Sequence, residues 1–281
     1  MSPQPKTVQI FLPDGNARSV RIAEVTSRTV QAVQIPRKAL KAAAARDEVQ
    51  RVGVYFLFGE TDDPARTPVA YIGEAENCYT RLQQHHRHKD CWETAVAITS
   101  KTMSFTKAHA RYLEYDCLRK ARNADRFRLA NASIPAEPHI PEPMLAELRD
   151  NFGTIRTLLS MLGVPILDPL TTRADKRHLL RCTGRGANAT GAYTEDGLVV
   201  FAGSTVAPDI VPSVRETLPP RRQRLMEDGV LHNNGSDLVF AKDHLFNSPS
   251  GAALMVLGRS ANGWREWTDR HGRTLDDLER R

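Results

Sequence analysis

Residues 51–58, RVGVYFLF, are apolar at odd and even positions alike, and a second run, VAYIG, follows at 69–73 after the polar turn GETDDPARTP at 59–68. Side chains of a strand alternate between its two faces, so a run apolar on both predicts a strand covered on both sides. The flanking sequence must then supply the covering layers. Downstream, Asn77 stands at an N-cap position ahead of a helix expected over 78–88. A third strand is expected at 94–99, and Thr106 can cap a helix at 107–122. Upstream, TVQIF (7–11) and SVRIAEV (18–24) flank PDGN as a hairpin would, with a further strand at 29–35 and an alanine-rich helix after Pro36.

Beyond this region the proline-rich stretch 132–143 reads as a linker, a helix is expected at 144–162, and Pro165 to Pro169 closes the segment. The last third holds the strand-like ATGAYTEDGLVVFAG, a basic helix at 213–228 and a short hairpin at 230–241. It ends in NSPSGAALMVLGRSANGWREW, where Ser248 caps a helix that Gly258 stops. The expected fold class is α+β: a small antiparallel three-stranded sheet flanked by helices at 50–137, and a separate small α+β domain at 170–281. Residues 1–49 form an N-terminal hairpin and helix region packed on the sheet, and 138–169 a helical connector.

With 281 residues, 41% hydrophobic and 26% charged, the composition is that of a folded chain. The N-terminus lacks the pattern of a secretory signal and no stretch approaches the ~20 apolar residues of a membrane span, so a cytoplasmic protein without a membrane partner is expected. Cys78, Cys91, Cys117 and Cys182 are scattered, which argues for reduced thiols. The net charge of +6 is concentrated: residues 81–128 carry eleven Lys or Arg against five acids, the whole surplus of the chain. A solvated helix face would explain this, and so would a polyanionic partner.

Tyr55 and Tyr71 fall on adjacent strands, Arg81 in the first turn of the next helix, and His85 one turn further on the same face. Each alone reads as packing or as solvated surface. Glu114 changes the weighing, because a 3.6-residue period stacks it with Ala110, Cys117, Leu118 and Ala121 on an apolar stripe. A carboxylate withdrawn from water must be paired, protonated or bound to a metal. Arg111 is the structural partner at hand; the alternative is a hard cation held by one carboxylate, waters and a phosphate.

Gly53-Val54-Tyr55, then Tyr71-Ile72-Gly73, then Arg81, then Glu114 resembles the GIY-YIG nuclease family in order and spacing, over residues 51–135, with Val54 in place of the usual isoleucine. The resemblance implies a DNA endonuclease dependent on Mg²⁺, or Mn²⁺ in its stead, with Glu114 as metal ligand. It implies that Tyr55 or Tyr71 helps activate the attacking water, that Arg81 stabilises charge on the phosphate, and that His85 stands near the site. Asn131 matches the family's late asparagine, with Asn123 as a nearby alternative. A tyrosine of ordinary pKa near 10 is a poor base at neutral pH, so a cation must lower it or it must act by orienting water. The C-terminal segment resembles an uncharacterised domain often found behind such nucleases. A different class, a catalytically weak nucleic-acid-binding module, would need none of Tyr55, Tyr71, Arg81 and Glu114 together.

Other constellations read more plainly. The HHRH run at 85–88 with Cys91 fits no tetrahedral zinc spacing. Ser104, His109 and Asp116 are a triad in composition only. Gly184-Arg185-Gly186 reads as a turn, and Trp264 and Trp267 as core. Sequence specifies no oligomeric state.

Overall fold

Seven strands form one sheet: β1 (Val8–Phe11), β2 (Arg21–Val25), β3 (Val30–Pro36), β4 (Gly53–Gly59), β5 (Val69–Ala75), β6 (Thr94–Ser100) and β7 (Arg128–Leu129). Their order is β1-β2-β3-β6-β4-β5-β7, antiparallel throughout except for the short parallel pair β5–β7. The computed structural model describes residues 5–59, 67–88, 92–171, 175, 178–235 and 237–280. Most of the 59–68 turn, and Cys91, lie outside them. The chain divides into two compact units, residues 1–61 with 68–168, and residues 62–67 with 169–281.

β4 lies inside the sheet, and its alternation sorts its side chains as the sequence requires. Val54, Phe56 and Phe58 enter one core with Ile72, Leu113, Cys117, Leu118, Leu148 and Ile155. Tyr55 and Leu57 enter the other with Val33, Ile35, Leu40, Cys78 and Leu82. The first core is roofed by α2 (Lys107–Ala124) and α3 (Glu142–Met161), the second by α1 (Cys78–His88) and three short 3-10 turns at Arg37–Ala39, Ala42–Ala45 and Asp47–Val49. Burying a side chain such as Phe56, fully covered here, contributes roughly 2–3 kcal/mol. Asn77 caps α1 by accepting from the Thr80 N–H at 2.9 Å, and Thr106 with His109 closes a capping box on α2.

Two expectations are corrected. The sheet has seven strands, not three: β3 pairs with β6 along its whole length, from Val30 opposite Ser100 to Pro36 opposite Thr94, which adds β1 to β3, and β7 joins through β5. The N-terminal strands therefore extend the sheet edge to edge and satisfy the backbone groups that β6 would otherwise present to water. The alanine-rich segment after Pro36 is three 3-10 turns and not one helix. Arg46 sits extended between the second and third turns, and a segment this short has too few residues for propensity alone to stabilise a continuous helix.

The second unit has a four-stranded sheet, ordered β13-β10-β9-β8, and a two-stranded one. The strands are β8 (Leu180–Gly184), β9 (Ala187–Thr194), β10 (Gly197–Val200), the hairpin β11 (Leu231–Asn234) with β12 (Asp237–Phe240), and β13 (His244–Phe246). Helices α4 (Leu218–Glu227), α5 (Pro249–Leu257), α6 (Gly263–Glu266) and α7 (Leu275–Glu279) pack with them around a separate core. Ser248 Oγ caps α5 from the Gly251 N–H at 3.1 Å, and Gly258 ends it with φ +65°. No helix among the described residues is long and apolar enough to cross a membrane.

Candidate active site

The two glycine-tyrosine motifs are explained by close packing. Gly73 is the cross-strand partner of Tyr55, and the Tyr55 ring lies over it so tightly that a Cβ there would fall 2.3 Å from the hydroxyl oxygen. A Cβ on Gly53 would meet the Ile98 carbonyl at 2.2 Å. At Gly53 the obstacle is backbone, whereas at Gly73 it is the Tyr55 side chain, which a Cβ would have to displace.

Tyr55 is 1% exposed and His85 6%. The Tyr55 hydroxyl is 2.8 Å from His85 Nε2 and accepts from Arg81 Nε at 3.4 Å. A guanidinium can only donate, so the phenolic oxygen accepts from Arg81, and the imidazole and the Tyr71 hydroxyl are its other polar neighbours. Tyr71, partly exposed, completes the cluster: its ring centroid is 5.4 Å from His85 and 6.2 Å from Tyr55. Burial drives the Tyr55 hydroxyl well above its ordinary pKa, the Arg81 hydrogen bond opposing this and the Tyr71 hydroxyl adding to it. Tyr55 therefore stays protonated at neutral pH. Arg81 itself is exposed, held by Gln84 at 2.8 Å.

Among the described residues β7 pairs only with Val69 and Ala70, which leaves the outer edge of β5 without a partner strand from Tyr71 onward. Asn131 takes up part of it. Its Oδ1 accepts from the Ile72 N–H at 3.1 Å and its Nδ2 donates to the Ile72 carbonyl at 2.8 Å, an amide standing in for a strand residue. This holds β5 straight between Tyr71 and Gly73. Asn123 is exposed near the end of α2.

Glu114 projects from α2, half-buried, beside the same edge. Its pKa is raised, first by burial and then by the charge of Glu74, while the Glu74 backbone N–H, Arg111 and Arg81 act the other way. Arg111 does not serve as its ion-pair partner; Arg111 Nε lies 3.9 Å from Glu74 Oε1 instead. Arg81 is bonded to Tyr55, and its positive charge is the smallest of the influences that favour the ionised form of Glu114. Glu74 was not singled out by sequence. It follows Tyr71-Ile72-Gly73 directly, but one acid at a strand end carries no periodic signal.

A hard divalent cation suits this donor set. A carboxylate whose charge is disfavoured by burial and by a neighbouring acid gains from a cation, and oxygen is the donor Mg²⁺ takes. Among the described residues no group of three or more ligating side chains exists, so an ion at Glu114 would need donors from outside the chain to complete its shell.

The other constellations disperse. Ser104 bonds Ser100, His109 bonds Thr106, and Asp116 pairs with Arg119 and Lys120. Gly184-Arg185-Gly186 is the turn between β8 and β9. Trp267 is fully buried with its N–H on the Pro249 carbonyl, and Trp264 meets Tyr193 edge-on under Arg280. Cys78, Cys117 and Cys182 are free and buried.

Compared with known proteins, residues 180–279 match the family described as "Domain of unknown function (DUF4357)". No curated protein and no solved structure matches the chain.

Proposed function

We propose that the protein is a metal-dependent DNA endonuclease of the GIY-YIG type, with Glu114, Arg81, Tyr55, Tyr71 and His85 as its active site. The observation that carries this reading is the joint placement of Arg81 between the buried Tyr55–His85 pair and the half-buried Glu114 at an open strand edge. The order of motifs in the sequence supports it independently.

Phosphodiester hydrolysis needs an in-line water, charge neutralisation on the phosphate oxygens, and help for the departing alkoxide. Mg²⁺ held by Glu114 would supply positive charge on the phosphate and a more acidic bound water. Arg81 is exposed on its outer side and presents a guanidinium fork to the phosphate while Tyr55 fixes its Nε. Tyr71 is the tyrosine open enough to touch a substrate water, and Tyr55 orients His85 and Arg81 behind it. His85 is the member of the network whose residue type exchanges protons near neutrality, and its Nε2 lies within hydrogen-bond distance of the Tyr55 hydroxyl. Asn131 acts as a positioning residue for β5.

Supercoiled plasmid incubated with the purified protein in Mg²⁺ and in EDTA tests the reading. Nicked or linear product is expected with wild type in Mg²⁺ only, and not with Glu114→Ala. Binding without cutting across Mg²⁺, Mn²⁺ and several DNA sources would instead leave a nucleic-acid-binding module.

A further inference from the structure

Arg81, Gln84, Arg87 and His88 are exposed on α1 and form one stripe at helical spacing. At the far end of that stripe the chain is joined to a segment distant in sequence. Arg37 Nη2 donates to the His86 carbonyl and Arg37 Nε lies against His86 Nδ1, both at 3.4 Å. Its Nη1 donates to the Trp92 carbonyl at 3.2 Å, and its guanidinium lies over the Trp92 ring. Arg37 therefore fixes the first 3-10 turn beside the end of α1, and Lys38 and Lys41 follow it, exposed. Lys38, Lys41 and Arg87 form no ion pair among the described residues. The Arg37 N–H donates to the Glu93 carbonyl, which ties the same turn to the start of β6.

We propose that Lys38, Lys41 and Arg87 form a phosphate track that carries the DNA backbone away from Arg81, so that the N-terminal region supplies part of the substrate grip. The inference rests on the nuclease reading for its choice of partner. The stripe from Arg81 to His88 is about 10 Å of helix, roughly three base-pair steps of duplex. Lysines and an arginine that no carboxylate holds among the described residues are the groups that release counterions on meeting phosphates, giving affinity that does not depend on sequence and falls with salt. Residues 37–41 lie outside the 51–135 stretch that resembles the nuclease family, so this part of the grip belongs to this chain's own extension.

The test is fluorescence anisotropy of a labelled 30-base-pair duplex with the full-length protein in EDTA, which isolates binding from cutting. The triple variant Lys38→Glu, Lys41→Glu, Arg87→Glu is compared with a control of equal charge change at exposed sites elsewhere, Lys6→Glu, Arg18→Glu, Arg122→Glu. The patch variant is expected to bind at least about tenfold more weakly at 100 mM salt. Its log Kd against log salt slope should fall by about three, near 0.9 for each phosphate that is no longer neutralised, while the control changes less than about twofold. The glutamine version of the patch variant, which removes charge without reversing it, should show the same decrease in slope. Equal weakening by patch and control, or no weakening by either patch variant, overturns the proposal. Wild type that binds through the patch yet never cuts in Mg²⁺ would support the track and sink the nuclease reading alone; wild type that cuts with the patch variants unaffected would do the reverse.

Discussion

Both units bury ionisable side chains, but they do so to different ends. In the second unit, Arg222 is 6% exposed and spends its guanidinium on the carbonyls of Ala207 and Met255, and burial lowers its pKa. His244 lies against Phe246, driven by burial down to a pKa of about 4 and therefore neutral. Each ends in the core that surrounds it. In the first unit the buried Tyr55–His85 pair is connected outward, through Arg81, to an open strand edge and a half-buried acid. A buried polar group marks chemistry only when a chain of interactions delivers it to a place where substrate can reach, and the comparison sets that contrast inside one molecule.

Breaking the outward chain should have the largest effect. Arg81→Ala is expected to lower plasmid nicking about 100- to 1000-fold in single-turnover rate, the usual loss for a charge-stabilising donor, with less than about 1 kcal/mol change in urea unfolding. A loss of stability as large as the loss of rate would make Arg81 structural. Breaking the inward anchor should do the opposite. Arg222→Met leaves two buried carbonyls without a donor and should destabilise the second unit by about 2–4 kcal/mol in denaturant titration. Nicking per folded molecule should be unchanged at 25 °C. Gly73→Ala sharpens the comparison from within the site, since its Cβ must displace the Tyr55 hydroxyl. A cost of about 1–3 kcal/mol is expected, with nicking reduced roughly tenfold or more, and a variant of full activity would show that the Tyr55 seat is irrelevant.

Much of this arrangement is legible in the chain because it rests on local pattern. The two-sided apolar run at 51–58, the Asn77 and Thr106 caps and the apolar stripe that carries Glu114 all follow from short-range spacing. What is not legible depends on pairing between distant residues. The register that joins β3 to β6 adds three strands to the three expected, and nothing local to 30–36 encodes it. Arg111 sits one turn from Glu114 but pairs with Glu74, because helix–strand packing and not helix spacing decides which acid it reaches. Asn131 is found by motif order, yet its bonds to Ile72 appear only with the strand edge in place.

The smallest effect separates the two kinds of burial most directly: thermal melting of Glu114→Gln against wild type between pH 4 and 7.5. The raised pKa of Glu114 means that the folded state holds this proton more tightly than the unfolded chain. Wild type is therefore penalised above the raised pKa, where the carboxylate must ionise in place, and the penalty vanishes below the ordinary glutamate value near 4.3. Glutamine mimics the protonated form, so its melting temperature should exceed that of wild type by about 1–2 °C at neutral pH, on the scale of a few tenths of a kcal/mol for a half-exposed group. The difference should close toward pH 4, and the variant should not cut DNA. A variant less stable than wild type at neutral pH would place Glu114 with Arg222, as a group held for the fold, and would contradict its assignment to the site.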